Sequence, residues 1–205
     1  MDRGSRKLES GSRVGIIGGG PAGSLFALYL LHYAGEKGIH PKVTIYNLRN
    51  FDEPGPKGCK GCAGILSIPL LRNLEQLGLT IPKGVIQTTI EQYTVHSPYT
   101  SISISNPEKG IQIASVYRGC GALKSPAEDT ISFDAWLLRE ARNRGAIVEN
   151  QKVSSAFLGS EPGVVIAGEK IKHDLVVLAA GVNTRPIRIS GAEYIPPKVR
   201  VMNRD

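Results

Sequence analysis

Three glycines with a fixed spacing are the residues of this sequence that most clearly indicate chemistry. Gly18, Gly20 and Gly23 form the pattern G-x-G-x-x-G. In dinucleotide-binding proteins the first glycine permits a tight turn and the second admits a pyrophosphate beside the backbone, while the third lets a helix pack against a strand. The pattern therefore predicts a dinucleotide site at residues 18–23.

The segments on either side of these glycines supply the context that the pattern needs. Residues 13–17 are apolar and predict a strand, and residues 21–33 predict a helix. Pro21 suits the first helical turn, where free amide groups and the positive end of the helix dipole can hold phosphate oxygens. Residues 42–47 predict a second strand, which completes a βαβ unit.

Asn47 stands where the second strand ends. Dinucleotide-binding units usually carry Asp or Glu at this place, because a carboxylate accepts hydrogen bonds from the ribose hydroxyls. The Asn47 carbonyl oxygen can also accept a hydrogen bond, but without the assistance of a negative charge. We therefore expect nucleotide binding to be retained and weakened.

Helix and strand patterns alternate through the rest of the chain. Residues 67–78 and 132–144 predict helices, the second with Ser132 as its N-cap. Residues 85–117 predict an inserted antiparallel sheet, and residues 146–179 predict parallel strands around a small β-meander. The sequence thus predicts a doubly wound α/β fold of the Rossmann type with β insertions.

The composition is that of a soluble globular protein, with 41% hydrophobic and 21% charged residues. The net charge of +7 suits an anionic ligand, but no basic run is interleaved with stacking aromatic residues, so we expect no nucleic-acid partner. The longest apolar run, residues 25–31, is far shorter than the roughly 20 residues that span a bilayer. Three cysteines without a secretory signal predict a cytoplasmic location.

Two of the cysteines lie close together in a glycine-rich loop. Cys59 and Cys62 have the C-x-x-C spacing, which is compatible with a flavin-side loop, a redox-active dithiol or half of a zinc site. Zinc needs four ligands, and only Cys120 and scattered histidines remain to complete such a site. We therefore expect no metal, and the dithiol stays an open alternative to the loop.

Four segments together resemble the FAD-dependent oxidoreductases of the geranylgeranyl reductase type. They are the glycine turn, residues 58–67 (GCKGCAGILS), residues 133–137 (FDAWL) and residues 176–181 (VVLAAG). The most specific is Cys-Ala-Gly-Ile-Leu-Ser at residues 62–67, which is similar to the family's loop beside the isoalloxazine ring. The resemblance implies FAD as cofactor and a fold shared with aromatic hydroxylases and flavin-dependent halogenases.

The resemblance also implies a set of cofactor-binding positions. The glycine turn would contact the pyrophosphate, Val153 would pair its backbone with adenine, and Arg118 would lie by the cofactor despite its unusually large separation from Phe133. Asp134 is expected only to favour the start of its helix. The full set comprises Gly18, Gly20, Pro21, Ala22, Gly23, Asn47, Cys62, Ala63, Gly64, Arg118, Val153, Ala180 and Gly181.

The resemblance further divides the chain into domains. A flexible tail is expected at residues 1–11, and an FAD-binding domain at residues 12–84 and 118–185. Part of a substrate domain is expected at residues 85–117 and 186–205. The family's second flavin motif, Gly-Asp-Ala, does not occur in the sequence, so we expect a truncated chain.

These observations imply an FAD-dependent oxidoreductase that transfers hydride between flavin and a hydrophobic, isoprenoid-like substrate, with peripheral contact at a membrane surface. No catalytic residue or electron donor is identified from the sequence. One alternative is a non-catalytic prenyl- or nucleotide-binding protein of the same fold, favoured by Asn47 and the missing second motif. The others are a flavin/dithiol oxidoreductase that uses Cys59 and Cys62, and a nicotinamide-dependent dehydrogenase.

Overall fold

The computed structural model describes residues 7–53, 64–105, 113–119, 130–181 and 187–191. Its elements in chain order are β1 (Arg13–Ile17), α1 (Pro21–Glu36), β2 (Lys42–Tyr46), β3 (Ile65–Leu66), α2 (Ile68–Gln76), β4 (Ile86–Ile90), β5 (Gln92–His96), β6 (Ser101–Ser105), β7 (Ile113–Val116), α3 (Phe133–Asn143), β8 (Ile147–Glu149), β9 (Val153–Phe157), β10 (Gly163–Ile166), β11 (Glu169–Lys172), β12 (Leu175–Leu178) and β13 (Arg188–Ser190). The chain divides into two compact units, residues 1–49 with 137–205 and residues 50–136.

A four-stranded parallel sheet forms the centre of the first unit, in the order β12-β1-β2-β8. Val14 and Ile16 of β1 are fully buried, which accounts for the apolar run that precedes the glycines. The order places the two strands of the predicted βαβ unit side by side, with the later strands at the edges. The predicted α/β fold with a parallel sheet is confirmed.

Helix α1 packs against β1 and β2 and extends three residues beyond the predicted end at residue 33. Its last turn is closed by the amides of Lys37 and Ile39, which both donate to the Ala34 carbonyl. Gly38 follows with a φ of +66°, a left-handed conformation that ends the helix. No helix of the described residues is long and apolar enough to cross a membrane.

The predicted β-meander is present as β9, β10 and β11, which pair in antiparallel fashion. Ala167, predicted within a strand, lies instead in the two-residue turn before β11 with a φ of +51°. Strand β13 pairs in parallel with β9. Residues 188–190 therefore belong to the meander sheet, whereas the sequence assigned them to the substrate domain.

The meander and the parallel sheet share an apolar core. Buried side chains of β1 and β2 join those of the meander, and partly buried aliphatic residues close the cluster. The buried members are Ile17, Tyr46, Val153, Ala156, Val164 and Ile166. Since Ile17 and Tyr46 immediately precede the glycine turn and Asn47, this core fixes where both segments leave the sheet.

The second unit contains the antiparallel strands. Strand β7 lies between β3 and β4, and β5 pairs with β6 as a separate hairpin. The single run predicted from residue 88 to residue 96 is interrupted at Glu91, between β4 and β5. In the described part of the chain the predicted inserted sheet is thus antiparallel, as expected, but divided in two.

The unit boundaries differ from the predicted domain boundaries. Strand β3 pairs with β7, so residues 65–66 join the antiparallel strands rather than the nucleotide-binding part. The tail predicted through residue 11 also differs, because the Gly11 amide donates to the His40 carbonyl at 2.9 Å and the His40 amide donates to Ser10 Oγ at 3.0 Å. Residues 10 and 11 are therefore anchored to the start of the second strand.

A buried Tyr–His pair joins the parallel sheet to the meander. A hydrogen bond of 3.0 Å links the Tyr46 hydroxyl to His173 Nε2, and the two rings meet edge to face. His173 lies over Gly15, where a Cβ would come within 2.6 Å of the imidazole ring. Glycine in the middle of β1 thus makes room for the histidine.

The surroundings of this pair disfavour a charged imidazole. Burial, and after it the positive charge of Arg13, lowers the pKa of His173 from its ordinary value of 6.5, although Asp174 opposes the shift. His173 Nδ1 has no hydrogen-bond partner among the described residues. Burial and the charge of Glu149 raise the pKa of Tyr46, so both partners are neutral at pH 7.

We expect the free energy of unfolding to fall as the pH is lowered below 6.5. The unfolded chain takes up a proton there and the folded chain does not, so stability is full above 6.5 and declines by up to about 1.4 kcal/mol per pH unit below it. Denaturant unfolding between pH 5 and 8 measures the slope. The His173→Gln variant should flatten it and the exposed His96→Gln should not; equal slopes in all three proteins would contradict this assignment.

Candidate functional site

The first and third glycines of the turn are fixed by packing. Gly18 has a φ of +107°, and a Cβ there would collide with the Ala179 carbonyl oxygen. A Cβ on Gly23 would collide with the Gly18 carbonyl oxygen, where α1 crosses the turn. The Gly18 amide donates to the Tyr46 carbonyl at 2.9 Å. The turn is thereby held between β2 and the end of β12.

The second glycine has a different environment. A Cβ on Gly20 would meet no atom of the described residues within 4 Å. The first hydrogen bond of α1 runs from the Ser24 amide to the Gly20 carbonyl at 2.9 Å, and no side chain caps the helix. The amides of Ala22 and Gly23 therefore have no hydrogen-bond partner among the described residues, at the positive end of α1. This arrangement is suited to an anion.

Ser24 stabilises the turn from inside the helix, a role that the sequence analysis missed. Its side chain is fully buried, and Ser24 Oγ donates to the Gly19 carbonyl at 2.9 Å. The bond holds the peptide between the first two glycines of the pattern. A hydroxyl residue directly after the third glycine is the sequence signal that could have indicated it.

The Asn47 side chain contacts both the glycine turn and the segment that follows β2. Its amide nitrogen Nδ2 donates to the Arg49 carbonyl at 2.6 Å, and its Oδ1 lies 3.4 Å from the Gly19 nitrogen. The Asn47 backbone amide donates to the Glu149 carbonyl at 2.9 Å. Both ends of this side-chain amide thus already contact the protein, which the sequence did not predict.

The other predicted positions of the first unit lie near these segments. Val153 is buried in the core that contains Ile17 and Tyr46. The residues on either side of Val153 in the sequence line a cavity of about 490 Å³. Its lining residues are Gln151, Lys152, Ser154, Ile166 and Ala167. Ala180 packs at the turn, where its Cα would be 3.1 Å from a Cβ on Gly18, and Gly181 follows with a φ of +77°.

The remaining predicted positions belong to the second unit. Gly64 has a φ of +66°, and a Cβ there would collide with the Val116 carbonyl oxygen. The Val116 amide donates to the Gly64 carbonyl at 2.8 Å, so packing against β7 accounts for this glycine. Cys62 and Ala63 lie outside the described residues, as does Cys59, so the flavin-loop and dithiol predictions stay predictions. The described residues contain no group of three or more side chains that could hold a metal ion.

Arg118 forms a bidentate ion pair with Asp134. Its Nε donates to Asp134 Oδ2 at 2.7 Å, and its terminal nitrogen donates to Oδ1 at 2.8 Å. Asp134 is buried, so the expectation that it acts only on the helix start was wrong. Ser132 was expected to cap α3, but its Oγ has no hydrogen-bond partner; the Phe133 amide donates to the Tyr117 carbonyl instead.

Comparison with known proteins gives structural matches. A tryptophan C-6 flavin-dependent halogenase from taromycin biosynthesis matches with a TM-score of 0.57 and 14% identity over 83% of this chain and 43% of that chain. A variant of 2-methyl-3-hydroxypyridine-5-carboxylic acid oxygenase matches with a TM-score of 0.57 and 21% identity over 84% of this chain and 40% of that chain. CtdE in complex with FAD and a substrate matches with a TM-score of 0.50 and 18% identity over 84% of this chain and 38% of that chain. The chain has the fold of FAD-binding oxygenases and halogenases.

The chain spans about two fifths of the length of these proteins. No protein-family model matches the sequence, and no curated protein matches it. At these identities the likeness establishes the fold, and it agrees with the parallel sheet, the meander and the antiparallel strands described above.

We expect Asp134→Ala to lower the free energy of unfolding by about 2 kcal/mol. The substitution removes the two charge-assisted hydrogen bonds that the buried Asp134 carboxylate accepts from Arg118. Chemical denaturation measures the change. Glu140→Ala removes an acidic residue from the same helix and should stay within about 0.5 kcal/mol of the parent. Equal losses in the two variants would show that the ion pair contributes nothing particular.

Proposed function

We propose that the chain is the cofactor-binding part of an FAD-dependent oxidoreductase and that the glycine turn holds the FAD pyrophosphate. One observation carries this proposal. Gly20 faces open space where the Ala22 and Gly23 amides are unpaired, whereas the other two glycines of the pattern are closed in by backbone. Packing explains Gly18 and Gly23, whereas a phosphate ligand gives a reason for a start of α1 that no side chain of the described residues caps.

The distribution of charge supports an anionic ligand in the first unit. Its residues include 18 Lys and Arg against 10 Asp and Glu, whereas the second unit has 7 against 8. The whole positive excess of the chain therefore belongs to the unit that contains the glycine turn. A cationic unit raises the local concentration of a nucleotide carrying a pyrophosphate.

The residues present fit the adenosine and pyrophosphate part of FAD. Ala22 and Gly23 would donate backbone hydrogen bonds to the pyrophosphate, and Val153 with the adjoining cavity would receive the adenine. Asn47 fits the ribose less well than a carboxylate would, because both ends of its amide already contact Gly19 and Arg49. When bound, the flavin supplies hydride transfer, and this chain's residues hold and orient it.

The substrate class and subfamily are a finer part of the proposal. The loop at residues 62–67 resembles that of the geranylgeranyl reductase-like enzymes, which favours a hydrophobic, isoprenoid substrate collected at a membrane surface. The solved structures that share the fold include an oxygenase and a halogenase, so the fold itself admits other substrates. A longer natural chain that carries the second flavin motif is part of the same proposal.

Binding of FAD to the purified chain tests this function. We expect FAD to comigrate with the protein on gel filtration and its fluorescence to change in a saturable titration. Gly20→Val should weaken binding at least a hundredfold while lowering the melting temperature less than Gly23→Ala does, because a Cβ at residue 20 meets no described atom within 4 Å and enters the ligand space. Gly23→Ala is the matched control and should lower the melting temperature, since its methyl group collides with Gly18.

Three results would contradict the proposal. If the folded chain and Gly20→Val bind FAD equally, the glycine turn is not the site. If the folded chain binds NAD and not FAD, the nicotinamide-dependent alternative replaces it. A folded chain that binds prenyl lipid but no dinucleotide would instead favour the non-catalytic alternative, for which Asn47 is the specific observation.

A further inference from the structure

Arg49 is a half-buried cation that has no side-chain partner among the described residues and follows the strand end beside the proposed nucleotide site. It follows β2 by three residues and is neither fully exposed nor engaged in an ion pair or side-chain hydrogen bond with any described residue. Arg118, by contrast, forms an ion pair with Asp134. The charge of Arg49 is therefore available to a ligand.

The structure holds this residue close to the glycine turn. Asn47 Nδ2 donates to the Arg49 carbonyl at 2.6 Å, the shortest contact of that amide. On its other side, the Asn47 side chain lies 2.9 Å from the place of a Cβ on Gly19. One side chain thus bridges the turn and Arg49, and fixes the distance between their backbones.

The charge at this strand end is reversed relative to the usual arrangement. A carboxylate there accepts hydrogen bonds from ribose hydroxyls and repels phosphate. Here a neutral amide occupies its place, and a guanidinium follows two residues later. A guanidinium donates in a planar fork that matches the oxygens of a phosphate.

We propose that Arg49 contacts a phosphate of the bound adenine nucleotide, in place of the missing ribose-binding carboxylate, and that Asn47 is the residue that positions it. This inference rests on the proposed nucleotide site and deepens it. The phosphate is part of the pyrophosphate, because FAD carries no phosphate on its adenosine ribose. The ligands chosen below separate these two positions.

The test compares the binding of adenosine, 5′-ADP and 2′-AMP to the parent chain and to Arg49→Gln by calorimetry. We expect the variant to bind 5′-ADP at least tenfold more weakly and adenosine within twofold of the parent. A tenfold loss confined to 2′-AMP would contradict the proposal, because it would place the contact at a ribose phosphate that FAD does not have. The exposed Arg139→Gln removes an equal charge from the same unit and should change neither affinity.

The salt dependence of binding and a double variant test the role of Asn47. Arg49→Gln should reduce the loss of 5′-ADP affinity between low and high salt. Asn47→Ala should weaken 5′-ADP in the parent and have little further effect when combined with Arg49→Gln, because the two residues act as one unit. Full additivity would show that Asn47 does not act through Arg49.

The outcomes separate this inference from the proposed function. If the parent binds 5′-ADP and Arg49→Gln binds it equally well, or loses adenosine to the same extent, the inference about Arg49 is overturned and the nucleotide site stands. If the folded parent binds none of the three ligands and no FAD, the proposed function is overturned and the inference with it.

Discussion

The close approach of α1 to the backbone of its own turn is the constraint on which the first unit depends. Gly23 can lie against the Gly18 carbonyl only because neither residue has a side chain, and Gly18 itself lies against Ala179. Buried Ser24 adds a hydrogen bond to Gly19. These contacts fix the direction of α1 relative to β1, β2 and β12. Among the described residues, no atom lies within 4 Å of the place of a Cβ on Gly20 at the start of the helix.

Within the six residues from Gly18 to Gly23, some positions are therefore fixed by packing and another is left for a ligand. At Gly18 and Gly23 the backbone is crowded and a Cβ would collide with a carbonyl oxygen, whereas a Cβ on Gly20 would meet no described atom within 4 Å, and the Ala22 and Gly23 amides have no partner among the described residues. A rigid turn presents these donors without a further loss of conformational entropy when a phosphate binds. The neighbouring strand end carries Asn47 and Arg49, and the basic excess of the whole chain belongs to this unit. Shape and charge therefore favour the same class of ligand.

Much of the fold followed from the sequence because local patterns and packing agree there. The apolar run before the glycines, the β-branched second strand and the meander all appear at or near their predicted places. The misplaced features depend on contacts between residues far apart in the chain. Asp134 looked like a helix-start charge because its partner Arg118 lies 16 residues away, and Asn47 looked like a ribose acceptor because its bonds to Gly19 and Arg49 have no sequence signature. The need for glycine at position 15 is likewise explained by His173, which lies against Gly15 but comes far later in the chain.

The most direct measurement for the central claim is the change in backbone amide chemical shifts when 5′-ADP or FAD is added to isotopically labelled protein. The account predicts that the largest saturable shifts fall on Gly20, Ala22 and Gly23, the open start of α1, with a smaller shift at Arg49. Shifts that saturate elsewhere, with these amides unchanged, would show that the open helix start is not the site that holds the phosphates.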